Sequence, residues 1–136
     1  MDKILVDTNI VLDLLARREP FFQDAQRLFS KADKGKIQLS VASLSIVNTH
    51  YILKSRLKLQ EARKYLRQLK VLVEVLPMTD KIIDLALDSD FKDFEDAIQY
   101  YIALENNLDF ILSRNQKDFK TAAIPVMTCS DYLNAQ

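Results

Sequence analysis

The sequence predicts a three-layer α/β/α fold built on a central parallel sheet of four to five strands. Short apolar segments alternate along the chain with longer segments of helical periodicity, which is typical of parallel sheets covered by helices. The first apolar segment shows no polar–apolar alternation, as expected for a strand buried on both faces. With 136 residues, nearly half of them apolar, we expect residues 1–136 to form a single domain.

The first half of the chain supplies two strands and three helices. We expect the strands at residues 3–6 and 37–43, and the helices at about residues 9–17, 20–34 and 43–57. Pro20 suits the start of the second helix, where its missing N–H costs no hydrogen bond. Gly35, the only glycine, stands where that helix should end.

The second half continues the alternation. The pattern predicts helices at residues 60–70, 79–88 and 93–106, strands at 71–77, 109–113 and 124–128, and a helical turn at 130–135. In sheets of this kind ligands bind beyond the carboxyl ends of the strands. Polar residues that directly follow a predicted strand are therefore the first candidates for a functional site.

The composition excludes several classes of protein. No uninterrupted apolar run is long enough to span a bilayer, so we expect no contact with a membrane. The N-terminus lacks the basic flank and long apolar segment of a signal peptide. The single cysteine, Cys129, allows neither an internal disulfide nor a zinc–thiolate cluster. These features together predict a cytoplasmic protein.

Rare residues exclude further kinds of chemistry. One glycine cannot build the Gly-rich turns that bring backbone close to phosphates in nucleotide-binding folds. His50, the only histidine, has no second histidine or cysteine nearby, which favours a packing or surface role over a ligand or base. No serine stands on the sharp turn that a Ser-His-Asp hydrolase needs. Carboxylates remain as the candidate functional groups.

The charges are unevenly distributed although the net charge is zero. Residues 54–70 contain seven basic residues and one acid, and residues 80–96 contain seven acids and two lysines. Each run fits a solvated helix face. Each also fits a function, the acids collecting divalent cations and the basic surface meeting polyanions. Charge alone does not decide between these interpretations.

Asp7 stands where the first predicted strand ends. Such an acid either caps the next helix or belongs to a site at the edge of the sheet. Thr8 or Asn9 could cap that helix equally well, which leaves Asp7 available for a site.

A second group of acids opens the helix predicted at residues 93–106. On a period of 3.6 residues Asp93 and Asp96 share a helix face at the border between the core and solvent. Glu95 points away from that face and from the apolar face, so we expect it to be solvated. Asp93 fits a helix cap as well as a site. Asp96 lies further inside the turn and beside the apolar face, which favours a site.

The third stretch, "FILSRNQKDF", follows another predicted strand. Ser113 ends the strand, and Asn115 and Asp118 come next. The stretch fits a hydrophilic turn, but it also fits a further group that joins Asp7 and Asp96 in one crevice. Oxygen ligands from several elements, completed by water, are what Mg²⁺ or Mn²⁺ requires.

The motifs "VDTNIVLDLL", "DFEDAIQYYIA" and "ILSRNQKDF", in this order, resemble those of the PIN-domain ribonucleases, which include the VapC-type toxins of toxin–antitoxin pairs. The likeness is closest to the subgroup that reads "DFEDA" at the third motif, and it spans nearly the whole chain. The resemblance implies a PIN-like fold and a metal-dependent endoribonuclease that cuts single-stranded RNA and leaves a 5′-phosphate and a 3′-hydroxyl. It also implies a homodimer and an antitoxin protein as a partner.

Position by position, the resemblance assigns roles to individual residues. Asp7 and Asp96 match the principal metal-binding acids, with Mg²⁺ or Mn²⁺ as the cofactor. Either Asn115 or Asp118 matches the polar residue of the last motif. Three further residues are candidates for positioning substrate oxygens, each of them equally plausible as a cap or surface residue: Ser45, Ser113 and Arg114.

The chain departs from the family at the second motif, where the usual glutamate is replaced by Asn48. An amide brings no negative charge, so metal affinity should fall unless another acid compensates, and Asp93 is the candidate. Asn48 therefore also favours an alternative, a PIN-like RNA-binding or protein-interaction module with weak or no catalysis. A phospho-receiver domain and a haloacid-type phosphatase fit less well, because the acidic pair, the lysine and the Asp-x-Asp motif that they need are missing.

Overall fold

A computed structural model describes residues 1–119 and 123–136, except for the side chains of Leu59 and Asp118. The described chain contains five strands, seven helices and one short 3₁₀ helix at Gln116–Phe119. The strands are β1 (Lys3–Val6), β2 (Gln38–Ala42), β3 (Val73–Leu76), β4 (Phe110–Leu112) and β5 (Val126–Met127). The helices are α1 (Thr8–Leu15), α2 (Phe22–Asp33), α3 (Ser43–Leu53), α4 (Leu59–Leu72), α5 (Asp80–Leu87), α6 (Phe94–Glu105) and α7 (Cys129–Asn134).

The five strands form one parallel sheet in the order β3-β2-β1-β4-β5. The predicted α/β/α fold with a parallel sheet is therefore confirmed. The chain builds outward from β1 to β3 on one side and then crosses to β4 on the other, so the strand order reverses beside β1. Val6 is in register with Leu112, and Asp7 N donates to Leu112 O at 3.0 Å. Asp7 and Ser113 therefore leave the sheet side by side at the switch point, where such folds bind ligands.

Apolar side chains cover both faces of the sheet. Ile4 and Val6 point to one face, where they pack with residues of α1, α2, α4 and α7. Leu5 points to the other face and packs with residues of α5 and α6. Since all three side chains are fully buried, each contributes about 1.5–3 kcal/mol of transfer free energy. This packing fixes β1 at the centre and thus fixes the place of Asp7.

Several element boundaries differ from the sequence prediction, most of them by one or two residues. Helix α2 begins at Phe22 and not at Pro20, which lies in the turn before the helix. Helix α4 continues through Leu72, although residues 71 and 72 were expected in the third strand; a short apolar run is compatible with either structure. Helix α3 ends at Leu53 instead of continuing to residue 57. There the Ser55 hydroxyl donates to Ile52 O at 2.7 Å, and such a side-chain bond competes with continuation of the helix.

The predicted end of α2 is confirmed, since Gly35 adopts a φ of 73°, a left-handed conformation that favours glycine. None of the helices in the described part of the chain combines the length and the apolar character needed to cross a membrane.

Candidate functional site

A cavity of about 420 Å³ opens at the carboxyl ends of the central strands, and we refer to it as the carboxylate cavity. Four acids, three amides and four other side chains line it: Asp7, Asp93, Glu95 and Asp96; Asn9, Asn48 and Asn115; Thr8, Leu12, Tyr51 and Ile52. No lysine or arginine is among the described lining residues. The fold thus brings residues of the three quoted stretches together with Asn48, which stands at the family's second motif, around one strongly acidic space.

The carboxylate of Asp7 is held from both sides. Asp7 stands directly before α1, but its side chain makes no capping hydrogen bond to that helix. Instead, Gln99 Nε2 donates to Asp7 Oδ1 at 3.0 Å and Ser113 Oγ donates to Asp7 Oδ2 at 2.8 Å. Each carboxylate oxygen can accept a further interaction. Asp7 is therefore oriented in the way that supporting hydrogen bonds orient a metal-binding carboxylate.

Gln99 is a supporting residue that the sequence interpretation missed. It lies on α6 and is 1% exposed. Its spacing of three residues from Asp96 puts both side chains on one helix face, and this spacing was the only signal available in the sequence. The spacing does not reveal that the partner would be Asp7, which is 92 residues away.

Ser113 has a different role from the one suggested by its position. It was a candidate for positioning substrate, but it is fully buried. Its hydroxyl donates to Asp7 and accepts from Asn115 N at 3.0 Å. Ser113 therefore orients Asp7 and the turn that leads to Asn115, and it does not face the cavity.

Asp93 and Asp96 occupy the first turn of α6. Asp93 caps the helix, since its Oδ1 accepts from Asp96 N at 2.9 Å. The capping interpretation of Asp93 is thus confirmed, and the residue also lines the carboxylate cavity. Asp96 is 7% exposed and lines the same cavity as Asp7. Two buried acids from separate motifs therefore share one space.

The expectation that Glu95 points away from the site is wrong. Glu95 is half-buried and lines the carboxylate cavity, and its Oε1 lies 3.1 Å from Thr8 Oγ1. A helical wheel shows only how residues are distributed around one helix and takes no account of neighbouring elements. At the first turn of α6 the start of α1 supplies a hydroxyl that the wheel does not include.

Two further candidates for positioning substrate lie elsewhere. Ser45 is 1% exposed, and its Oγ lies 2.8 Å from Thr8 Oγ1, so its hydroxyl is engaged inside the protein. Arg114 is not among the described residues that line the carboxylate cavity. Its guanidinium contacts Asp13 Oδ1 at 3.4 Å and lies 4.0 Å from the centroid of the Phe21 ring. Arg114 was a candidate for positioning substrate because it follows a strand, but its guanidinium instead pairs with the buried Asp13 on α1.

Asn48 and Asn115 line the carboxylate cavity as the motifs suggested. Asp118, the alternative to Asn115, belongs to the 3₁₀ helix. Its side chain lies outside the described part of the structure, so the choice between the two residues stays open.

Arg114 belongs to a second cavity of about 570 Å³, which is also lined by Asp13, Phe21 and Cys129. Burial raises the pKa of Asp13, and the charges of Arg114 and Arg18 partly offset this effect. Burial also raises the pKa of the Cys129 thiol to about 12, so the thiol is unreactive at neutral pH. Cys129 packs against the core, and its thiol lies 3.3 Å from Asp24 O of α2.

The donor set of the carboxylate cavity suits a hydrated Mg²⁺ or Mn²⁺ ion. Its carboxylate and amide oxygens are the hard ligands that these ions prefer. Among the described side chains, no three acids, histidines or cysteines already form a compact ligand set. Mg²⁺ commonly binds through one or two carboxylates and keeps several waters, so Asp7 and Asp96 are sufficient for such an ion.

Comparison with known proteins places the chain in a family. The family model described as PIN domain matches residues 3–117. The chain therefore belongs to the PIN-domain family.

Particular relatives agree with this placement. Ribonuclease VapC1 of Aquifex aeolicus (strain VF5) is 26% identical over 136 residues, covering 96% of this chain and 93% of that protein. Sarcin–ricin loop-cleaving toxin VapC20 of Mycobacterium tuberculosis is 18% identical with a TM-score of 0.69, over 89% of this chain and 95% of VapC20. A toxin–antitoxin complex from Klebsiella pneumoniae contains a chain that is 25% identical with a TM-score of 0.68, over 93% and 97% of the two chains. The sequence resemblance to VapC-type PIN proteins is thus confirmed.

Proposed function

We propose that the protein is a divalent-metal-dependent endoribonuclease that cleaves single-stranded RNA in the carboxylate cavity. The observation that carries this proposal is the meeting of Asp7 and Asp96 in one cavity at the switch point of a PIN-domain sheet. Similarity to Ribonuclease VapC1 of Aquifex aeolicus supports RNA cleavage as the reaction. An RNA substrate also makes the cytoplasm the place of action.

The residues of the cavity have separate tasks in this reaction. Asp7 and Asp96 hold the metal ion, and Gln99 and Ser113 keep the Asp7 carboxylate in place. When bound, the ion lowers the pKa of a coordinated water and offsets negative charge on the phosphate. Asn115 binds a phosphate oxygen through its amide. Hydrolysis leaves a 5′-phosphate on the downstream product and a 3′-hydroxyl on the upstream product.

The rim of the cavity suits a nucleobase. Tyr51 lines the cavity and is 68% exposed, so its ring is available for stacking, which is how proteins hold single-stranded bases. Lys54 Nζ lies 4.7 Å from the centroid of the Tyr51 ring and brings a positive charge to the edge of an otherwise acidic space. The two residues therefore attract the strand whose phosphate enters the cavity.

Two protein partners belong to the proposal. The Klebsiella pneumoniae structure is described as a toxin–antitoxin complex, which supports an antitoxin that inhibits this protein. A homodimer, common in the family, is the oligomer that we expect.

Cleavage of a labelled single-stranded RNA tests the proposed function. The purified protein is assayed with Mg²⁺, with Mn²⁺ and with EDTA, beside Asp7→Asn and Asp96→Asn, whose folding is checked by circular dichroism. Asp88→Asn, a change of an exposed acid outside the cavity, is the matched control. We expect metal-dependent cleavage that is lost in both cavity variants and kept in the control. Cleavage that survives EDTA or both cavity variants would contradict the proposal.

Asn48 favours a second candidate function, an RNA-binding or protein-interaction module without strong catalysis. The residue lines the cavity at the place of the usual glutamate but carries no charge. This alternative predicts that the folded protein binds RNA without cutting it, whatever metal is added.

A further inference from the structure

We propose that Glu95 supplies the negative charge that the second-motif residue Asn48 lacks, and that it does so as a carboxylate of the metal centre. The inference rests on the proposed function. Glu95 completes the charge of the site, a role that neither the motif order nor the helical wheel gave it.

The side of the cavity formed by α3 has no charge of its own. Asn48 lines the cavity there, together with Tyr51 and Ile52. Asp93, the acid expected to compensate, commits its Oδ1 to the N–H of Asp96 as the cap of α6. Glu95 is the remaining acid of the lining, and within the described part of the chain it accepts from a side chain, Thr8 Oγ1, and not from a backbone N–H. It is therefore the better candidate to compensate for Asn48.

Thr8 and Ser45 hold Glu95 in the cavity. Thr8 Oγ1 lies 3.1 Å from Glu95 Oε1 and 2.8 Å from Ser45 Oγ. A hydroxyl has one proton and a carboxylate can only accept. In the consistent arrangement Ser45 donates to Thr8, and Thr8 donates to Glu95.

These two hydrogen bonds connect Glu95 to α3, the helix that carries Asn48 in place of the usual glutamate. Ser45 lies on α3 three residues before Asn48 and is 1% exposed, and Thr8 is 7% exposed. The two hydroxyls are thus buried supports, whereas Glu95 reaches the cavity from α6. Helix α3 positions the replacement carboxylate instead of carrying one.

The effect of removing the charge of Glu95 distinguishes a metal-binding role from a purely structural role. A glutamine would accept the same hydrogen bond from Thr8 but would carry no charge. If Glu95 had only a structural role, Glu95→Gln would leave metal affinity unchanged. If Glu95 belongs to the metal centre, the same substitution lowers metal affinity, because affinity follows the number of charged ligands.

Like-charge repulsion gives a second, independent signature. Four acids line the cavity, and no lysine or arginine is among its described lining residues, so their charges repel one another until a cation binds. Glu95→Gln should therefore leave the thermal stability of the metal-free protein equal or higher, while the stabilisation gained on adding Mn²⁺ becomes smaller.

Isothermal titration of the protein with Mn²⁺ tests the proposal. We expect Glu95→Gln to weaken Mn²⁺ binding about tenfold or more, and Asn48→Glu combined with Glu95→Gln to recover most of that loss. Asn48→Asp, which preserves the size of the side chain, provides the same test if the longer acid does not fold. Glu61→Gln, an exposed glutamate on α4, is the matched control and should bind like the wild type.

Asp7→Asn separates failure of this inference from failure of the proposed function. Wild-type protein that binds no Mn²⁺, or binding that is insensitive to Asp7→Asn, would overturn the metal centre itself. Binding that is lost in Asp7→Asn but unchanged in Glu95→Gln would overturn only the role of Glu95.

Discussion

The buried carboxylate of Asp7 depends on two donors that come from other elements. Gln99 Nε2 and Ser113 Oγ each satisfy one oxygen, and both donors are almost completely inaccessible to solvent. A buried charged group that loses a hydrogen bond costs more free energy than a neutral one. These donors therefore serve folding as well as the proposed metal site.

Ser113→Ala tests this double role. We expect the free energy of unfolding to fall by about 1–3 kcal/mol and Mn²⁺ affinity to fall about tenfold. Urea denaturation and Mn²⁺ titration measure the two effects. Ser30→Ala, which removes an exposed hydroxyl, is the control and should change the free energy of unfolding by no more than about 0.5 kcal/mol. An unchanged stability of Ser113→Ala would contradict the supporting role.

At the scale of single residues, the sequence predicted which residues stand at the end of a strand but not where their side chains point. Asp7 and Ser113 both follow apolar strands, yet the first lines the cavity and the second is buried beneath it. Glu95 and Gln99 escaped prediction because their partners, Thr8 and Asp7, are distant in the sequence. Helical periodicity describes one helix, whereas these contacts join α6 to the start of α1 and to Asp7 before it.

At the scale of elements, the first turn of α6 combines a cap with a cavity wall. Asp93 caps the helix through Asp96 N, so its two proposed roles separate only when its charge and its hydrogen bond are removed in different variants.

Two substitutions of Asp93 separate these roles. We expect Asp93→Asn to keep the stability, because asparagine caps as well as aspartate, and to weaken Mn²⁺ binding, because a charge is removed. Asp93→Ala should also lower the free energy of unfolding by about 1 kcal/mol. Thermal unfolding in EDTA and Mn²⁺ titration measure the two effects. Equal stability of Asp93→Ala and the wild type would show that the cap is not needed.

The elements themselves were predictable because apolar segments alternate with helical ones, and every predicted strand and helix is present in the described chain. Two of the misplaced boundaries have an identifiable cause. Residues 71 and 72 are apolar in either a helix or a strand. Local competition for hydrogen bonds by Ser55 ended α3 earlier than periodicity suggested.

At the scale of the whole molecule, the sheet order creates the site. Asp7, Asn48, Asp96 and Asn115 come from four separate regions, and the reversal of strand order beside β1 brings them to one cavity. The alternation of elements predicted a parallel sheet, but periodicity carries no information about which strands are neighbours. The motif order, through its resemblance to PIN domains, supplied that information.

Cys129 reports on the integrity of the whole fold. Burial raises its pKa to about 12 from an ordinary 9.0. We therefore expect slow alkylation of the native protein at pH 9 and fast alkylation in urea, measured by mass spectrometry. The stability associated with the protonated thiol is complete below pH 9 and is lost as the pH rises towards 12. Equal alkylation rates in the two states would contradict the burial of Cys129.

The measurement that tests the central claim most directly is a crystal structure of the protein with Mn²⁺, recorded with anomalous scattering. The proposed metal centre predicts an anomalous peak in the carboxylate cavity, with oxygens of Asp7 and Asp96 about 2.1 Å from the ion, as in a hydrated Mg²⁺ site. Well-ordered crystals with an empty cavity, or with Mn²⁺ bound only elsewhere, would contradict it.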